Sequence, residues 1–311
     1  MGTMPTSSVP GTIAEYAGQS ITHAAIAVLV VEILLRVWRV SDGDERVAFR
    51  LLPLVLPVVV LPVFWLAAPW RAATAFEDGW ALFAGARWGA AGAVGLAGAV
   101  LLGLTLLLAD LPRFLRRWGP RRRGPVPPLV ATPPEVAAQV ATLAHAFALR
   151  PPAVLVLDME APALLVSGIR RPVLMISRGT LDSLDARQRH VTLAHELAHL
   201  ARRDPLLGWL LMGARVLSFF NPVTQLLART VVREAEWRAD DLAVAVTGDA
   251  ATLATALERL GGGRGDRRHL PAILARHRRL LARRDPEPTA FPRLRLGLTG
   301  ASLALLLFFV V

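Results

Sequence analysis

The sequence predicts an α-helical membrane protein with a mixed α+β domain inserted ahead of its last span. Three observations lead there. The chain has 311 residues and is 54% hydrophobic, more apolar than an ordinary soluble domain. Its apolar residues gather in four runs, three of about 20 residues, the length that crosses roughly 30 Å of hydrocarbon, and a slightly shorter last one. Between the third and fourth runs the sequence turns to short helix- and strand-like segments separated by polar residues. The expected organisation is three spans in residues 1–112, a basic linker at 113–129, a domain at 130–290 and a last span at 293–311.

The chain begins without the basic start of a signal peptide; residues 1–20 carry no lysine or arginine. The first apolar run covers about Ile21 to Val40 and holds Glu32 and Arg36 four apart. That spacing lets Glu32 face the bundle or pair with Arg36, while Arg36 snorkels to the interface. The second run contains Pro53, Pro57 and Pro62, which a membrane helix tolerates better than a soluble one. The third, about Trp88 to Leu111, is preceded or entered by Gly85, Gly89, Gly92, Gly95 and Gly98, a spacing that suits close helix packing. The fourth reaches Val311.

Charge orients these spans. The net charge is +11, and arginine supplies all the basic charge, since no lysine occurs. Arg39, Arg46 and Arg50 follow the first run, and the cluster in "RFLRRWGPRRRG" follows the third. Positive residues favour the cytoplasmic side, so the domain is expected in the cytoplasm with both termini outside. Arg71, Glu77 and Asp78 lie in the loop expected outside, where Arg87 is the discordant charge. Basic segments beside spans suit anionic lipid headgroups, and no direct nucleic-acid partner is expected.

Within the domain, "PEVAAQVATLAHAFAL" has helical spacing and "AVLVLD" reads as a strand. "ALLVSG" and "PVLMIS" read as a strand pair. Residues 183–203 read as one helix, with Asp182 or Ser183 capping a short lead-in and Asp185 near the start. Residues 206–220 suit a buried or interfacial helix, 223–246 a further helix, "GGGRGDRR" a basic loop and 271–284 a basic amphipathic helix.

The chemistry sits in "HVTLAHELAHLARRD", residues 190–204. Side chains four apart share a helix face, so His195 and His199 can hold one metal ion. There is no cysteine, so a transition metal must be held by His, Asp or Glu. Glu196 is placed to act as a general base on the water such an ion activates for attack on a peptide carbonyl. A third ligand is needed, and "VVREAEWRADDLA" offers one. Glu236 would complete a His-His-Glu set. Asp240, one turn on, could accept a hydrogen bond from a ligand histidine and fix its tautomer. Glu234 faces elsewhere on the helix. The surroundings of His195 and His199 are apolar, and burying such groups without partners would be costly. His145, His190, His269 and His277 lack this context and read as surface or packing residues.

These segments resemble the integral-membrane zinc metallopeptidases of the BlaR/MecR type and, more distantly, the HtpX-type membrane peptidases. The matching residues are "APALLVSGIRRPVLMISRGTLDSL", "RHVTLAHELAHLARRD" and "FFNPVTQLLARTVVREAEWRADDLA". The resemblance implies a zincin-like (gluzincin) fold on the cytoplasmic side of a bacterial inner or plasma membrane. It implies one zinc ion per chain on His195, His199 and Glu236, with Glu196 as catalytic base and Asp240 in support. It further implies that Ala163, Leu164, Leu165, Val166 and Ser167 form an edge strand against which a protein or peptide substrate lies extended. Cleavage of a transcriptional repressor in signalling, or of damaged membrane protein, are the roles it suggests. "EWRADD" is nearer the HtpX-type wording, and the chain stops at Val311 where sensor members continue into an extracellular ligand-binding domain. The lone tyrosine, Tyr16, lies outside the domain, so an arginine or histidine is left to stabilise an oxyanion. The alternatives are a non-catalytic membrane signalling scaffold that retains the fold, and a transporter built on Glu32 and the proline-rich second span.

Overall fold

The computed structural model describes residues 9–67, 85–117, 128–168, 170–262, 270–282 and 291–310. The described chain is mostly helical, with one small mixed sheet, and divides into two units. The first comprises Met1–Pro112, Leu211–Val232 and Glu287–Val311; the second comprises Arg113–Leu210 and Arg233–Pro286.

In the first unit, helices α1 (Val9–Val37), α2 (Gly43–Ala67) and α3 (Gly85–Arg117) cover the first three apolar runs. The last run forms α11 (Pro292–Val310). Two stretches among the described residues are long and apolar enough to cross a membrane, Tyr16–Val37 and Ala91–Pro112. Ala27, Val31 and Leu35 of α1 pack with Phe49 of α2 and Leu303 of α11. Many other apolar side chains on these helices, such as Leu29, Ile33, Val94 and Leu101, are exposed.

Of the two settings expected for Glu32, it faces the bundle: Arg50 of α2 donates to it from Nε at 2.7 Å and from Nη2 at 3.1 Å. Arg50 is buried and turned to Glu32, whereas Arg36 is exposed, which suits a charge that reaches water. The close packing expected of the glycine spacing is not found at Gly95 and Gly98. Gly95 and Gly98 face open space, whereas a Cβ at Gly103 would come within 2.6 Å of the Phe219 carbonyl oxygen. Close approach is thus made at Gly103, which has no side chain to obstruct it. The expected loop residues Arg71, Glu77 and Asp78 lie outside the described residues. So do most of the basic linker (118–127), most of "GGGRGDRR" with His269 (263–269) and the segment 283–290.

The second unit is built on strands β1 (Leu129–Val130), β2 (Ala153–Leu157), β3 (Leu164–Ser167) and β4 (Val173–Ser177), in the order β1-β2-β4-β3. The aliphatic content of β2 and β4 suits their central, parallel pairing, with Val156 opposite Ile176. β3 runs antiparallel to β4, with Leu165 opposite Met175, and lies at the sheet edge. Helix α4 (Pro134–Ala146) opens with proline in its first turn, where the missing N–H costs nothing.

The helix expected over 183–203 is α6, Ala186–Ala201, with Asp185 at its start; a short α5 (Arg178–Ser183), capped by Ser177, precedes it and was not expected. The break between them has a local cause: Asp185 accepts from the Gln188 backbone N–H while Gln188 reaches back, a capping box that starts a new helix. The remaining helices are α7 (Asp204–Leu217), α8 (Pro222–Thr247), α9 (Ala250–Gly262) and α10 (Leu270–Leu281). The core of the second unit gathers Leu143, Val156, Leu174 and Ile176 with Val191, Leu193, Ala194 and Leu197 of α6. The HExxH helix is therefore held in the middle of its unit, which fixes its histidines.

Candidate metal centre

Helix α6 buries both histidines of the motif; His195 is 4% and His199 2% exposed. Their Nε2 atoms stand 3.2 Å apart. Helix α8 brings Glu236 to the same point, with one carboxylate oxygen 3.7 Å from each Nε2. All three groups offer ligand atoms within 4.8 Å of one another. Ligand atoms held about 2.0 Å from a tetrahedral zinc stand about 3.3 Å apart, so this spacing suits that ion. Glu234, also buried, is not part of the cluster.

Each imidazole is backed on its other nitrogen by a buried aspartate. His199 Nδ1 lies 2.6 Å from Asp204 Oδ2, and His195 Nδ1 lies 3.0 Å from Asp240 Oδ1. The second contact is an ion-pair approach rather than a well-aligned hydrogen bond. Each aspartate is in turn gripped by an arginine. Arg238 pairs with Asp204, while Arg276 of α10 holds Asp240 through Nε at 2.9 Å and Nη2 at 2.6 Å. Two chains of Arg, Asp and His thus leave both Nε2 atoms directed at the Glu236 carboxylate. Carboxylates that orient ligand imidazoles in this way are a recurrent feature of metal centres.

The charges fit a cation. Asp204, Asp240 and Glu236 outnumber Arg238 and Arg276 by one, and Glu196 adds a further negative charge within electrostatic reach of Arg276. A divalent ion would balance that surplus. Burial alone would depress the His195 imidazole, but the carboxylates of Asp240 and Glu236 overcome it and push the group up to about 9. Burial would likewise raise Asp240, yet the Arg276 guanidinium beside it holds the carboxyl below its ordinary value.

The structure therefore brings together His195, His199, Glu236 and Asp240. Glu196 sits on the same helix, half-buried. Helix α6 also packs against the edge strand β3. Leu164–Ser167 pair with β4 along one side of that strand. Ala163 precedes it and is committed inward: its N–H donates to Ser177 Oγ and Thr180 Oγ1, and its carbonyl accepts from the Ser177 N–H.

Sequence reasoning missed Asp204, Arg238 and Arg276. Asp204 had a readable signal, five residues beyond His199. Arg203 adopts a left-handed φ of 56° and turns the chain, and Asp204 then opens α7 facing His199. The arginines had none, because basic residues are everywhere in this chain.

Residues 135–252 match the family model described as BlaR1 peptidase M56. The resemblance to BlaR/MecR-type membrane metallopeptidases is thereby borne out, and the chain carries a peptidase-family segment that contains the HExxH helix and Glu236. No curated protein matches the chain.

Proposed function

We propose that this chain, with its M56-type peptidase segment as premise, is a membrane-bound zinc endopeptidase that hydrolyses peptide bonds of cytoplasmic or membrane-proximal proteins. The observation that carries this reading is the convergence of His195 Nε2, His199 Nε2 and the Glu236 carboxylate, each imidazole oriented by its own aspartate. These three side chains would hold one zinc ion. Bound there, zinc supplies Lewis acidity for hydrolysis. Glu196 takes the proton of the attacking water and returns it to the leaving amine. The edge strand Leu164–Ser167 offers backbone groups to an extended peptide, a recognition mode that demands little of its sequence.

The apolar stretches Tyr16–Val37 and Ala91–Pro112 support membrane insertion, and α2 and α11 are the further spans of this reading. The arginine distribution supports a cytoplasmic peptidase domain. Repressor cleavage in signalling and quality control of membrane proteins remain the two roles that the resemblance offers.

The test is metal content and cleavage of fluorogenic casein by detergent-purified protein, wild type beside Glu196→Gln. One zinc per chain in both, with turnover confined to the wild type, is the expected result. Zinc without turnover in the wild type would favour the non-catalytic scaffold.

A further inference from the structure

Peptide hydrolysis develops negative charge on the scissile carbonyl oxygen. A cation or hydrogen-bond donor aimed at that position is usually the largest single aid an active site gives. The peptidase domain has no tyrosine for this role. Among its histidines, His277 is ion-paired with Glu258.

Arg276 occupies the required place. Its Nη1 lies 3.1 Å from Glu236 Oε2, and its Nη2 lies 3.3 Å from His195 Nε2. One edge of the planar guanidinium, formed by Nε and Nη2, is locked onto the fully buried Asp240. The other edge, carrying Nη1, borders the ligand cluster. Helix α10 is fastened alongside by Arg279, which donates to Asp241 and stacks on Trp237 of α8. The guanidinium is thus preorganised, with its orientation fixed before any substrate arrives. Such a fixed charge in a shielded site stabilises an oxyanion without the reorganisation that water would need.

We propose that Arg276 is the oxyanion-stabilising catalytic residue, its Nη1 edge donating to the scissile carbonyl oxygen as water adds to the carbonyl carbon. This inference rests on the peptidase reading. The water oxygen bonds to carbon and the π pair moves onto oxygen, where Arg276 meets it. Glu196 takes the water proton. The carbon–nitrogen bond then breaks, the oxygen pair re-forms the carbonyl, and the amine leaves with the proton from Glu196. Arg276 gains and loses no proton throughout.

Two inhibitors separate this role from a structural one. A phosphinic peptide carries an anionic oxygen on a tetrahedral centre, where the oxyanion forms; a hydroxamate peptide of the same sequence chelates metal with its charge formally on the N–O oxygen and has no tetrahedral oxyanion. In Arg276→Gln, zinc stays at one per chain and hydroxamate affinity stays within about threefold of wild type. Turnover falls about 100- to 1000-fold with KM little changed, the loss typical of one oxyanion donor. Phosphinate affinity falls by a comparable factor, and Arg276→Lys recovers part of both. Unchanged phosphinate affinity in Arg276→Gln would overturn the proposal. So would loss of zinc in both variants, which would make Arg276 a mere support for Asp240. The phosphinate comparison needs no turnover, so an inactive wild type would count against the peptidase reading while Arg276 is still judged by inhibitor binding.

Discussion

Two ionic clusters, one in each unit, use the same residue types to different ends. In the first unit Asp110 meets Arg215 at 2.8 Å and Arg229 at 2.6 Å, and Gln225 accepts from Arg215 Nε at 2.8 Å. Positive charge is in excess, and the donors converge on one carboxylate. In the second unit, aspartates that hold arginines also back two buried imidazoles beside Glu236, and negative charge is in excess. The first arrangement closes on itself. The second brings ligand atoms of three different side chains within 4.8 Å of one another. Burial of charge alone therefore does not mark a functional site; convergence of metal-ligating atoms does.

Removing the Asp110 carboxylate breaks the closed cluster. Asp110→Ala leaves Arg215 buried against Leu106 and Gln225 without its counter-ion, at a cost of about 3–5 kcal/mol. Denaturant unfolding should register that loss, while zinc per folded chain stays unchanged. The open cluster responds the other way. Asp204→Asn or Asp240→Asn should weaken zinc binding by about 10–100-fold, read by competition with a chromogenic chelator. The two substitutions act on different histidines, so similar losses at both would support the symmetry of the two Arg–Asp–His chains.

Acidity sharpens the contrast further. In the metal-free chain His195 is raised above its ordinary 6.5 to about 9, so protonation favours the folded state. That contribution is fully present below pH 6.5 and is lost as pH rises through about 9. Zinc requires the neutral imidazole. Zinc affinity should thus climb by about tenfold per pH unit from 7 toward 9 and then level, while the metal-free protein loses stability across that range. The smallest effect is expected at Arg203, whose left-handed backbone suits glycine better. Arg203→Gly should raise the melting temperature slightly, by about 1 kcal/mol or less in stability, and leave zinc binding in place.

How much of this could be read from the residues depended on how local each relation is. His195 and His199 share one helix, as do Glu236 and Asp240, and helical periodicity placed each pair on one face. The strand pair was legible from two aliphatic runs around "IRR". Helix α5, by contrast, was not legible, because its six residues are too few to show a helical period, whereas Asp185 at the start of α6 was. The glycine run of α3 matched a packing motif, yet Gly95 and Gly98 of that run face open space and a close approach occurs at Gly103. Arg276 stood in a basic amphipathic stretch, where nothing local distinguishes it from Arg278 or Arg279. Only the docking of α10 beside α8 gives it a role, and that pairing is remote in sequence.

Anomalous diffraction at the zinc edge, on crystals of the detergent-purified protein, would locate the metal ion. One peak per chain is expected, about 2.0–2.2 Å from His195 Nε2, His199 Nε2 and a Glu236 oxygen. A well-ordered protein that has been given zinc and yields no peak among those three side chains, or yields its peak elsewhere, would contradict that placement.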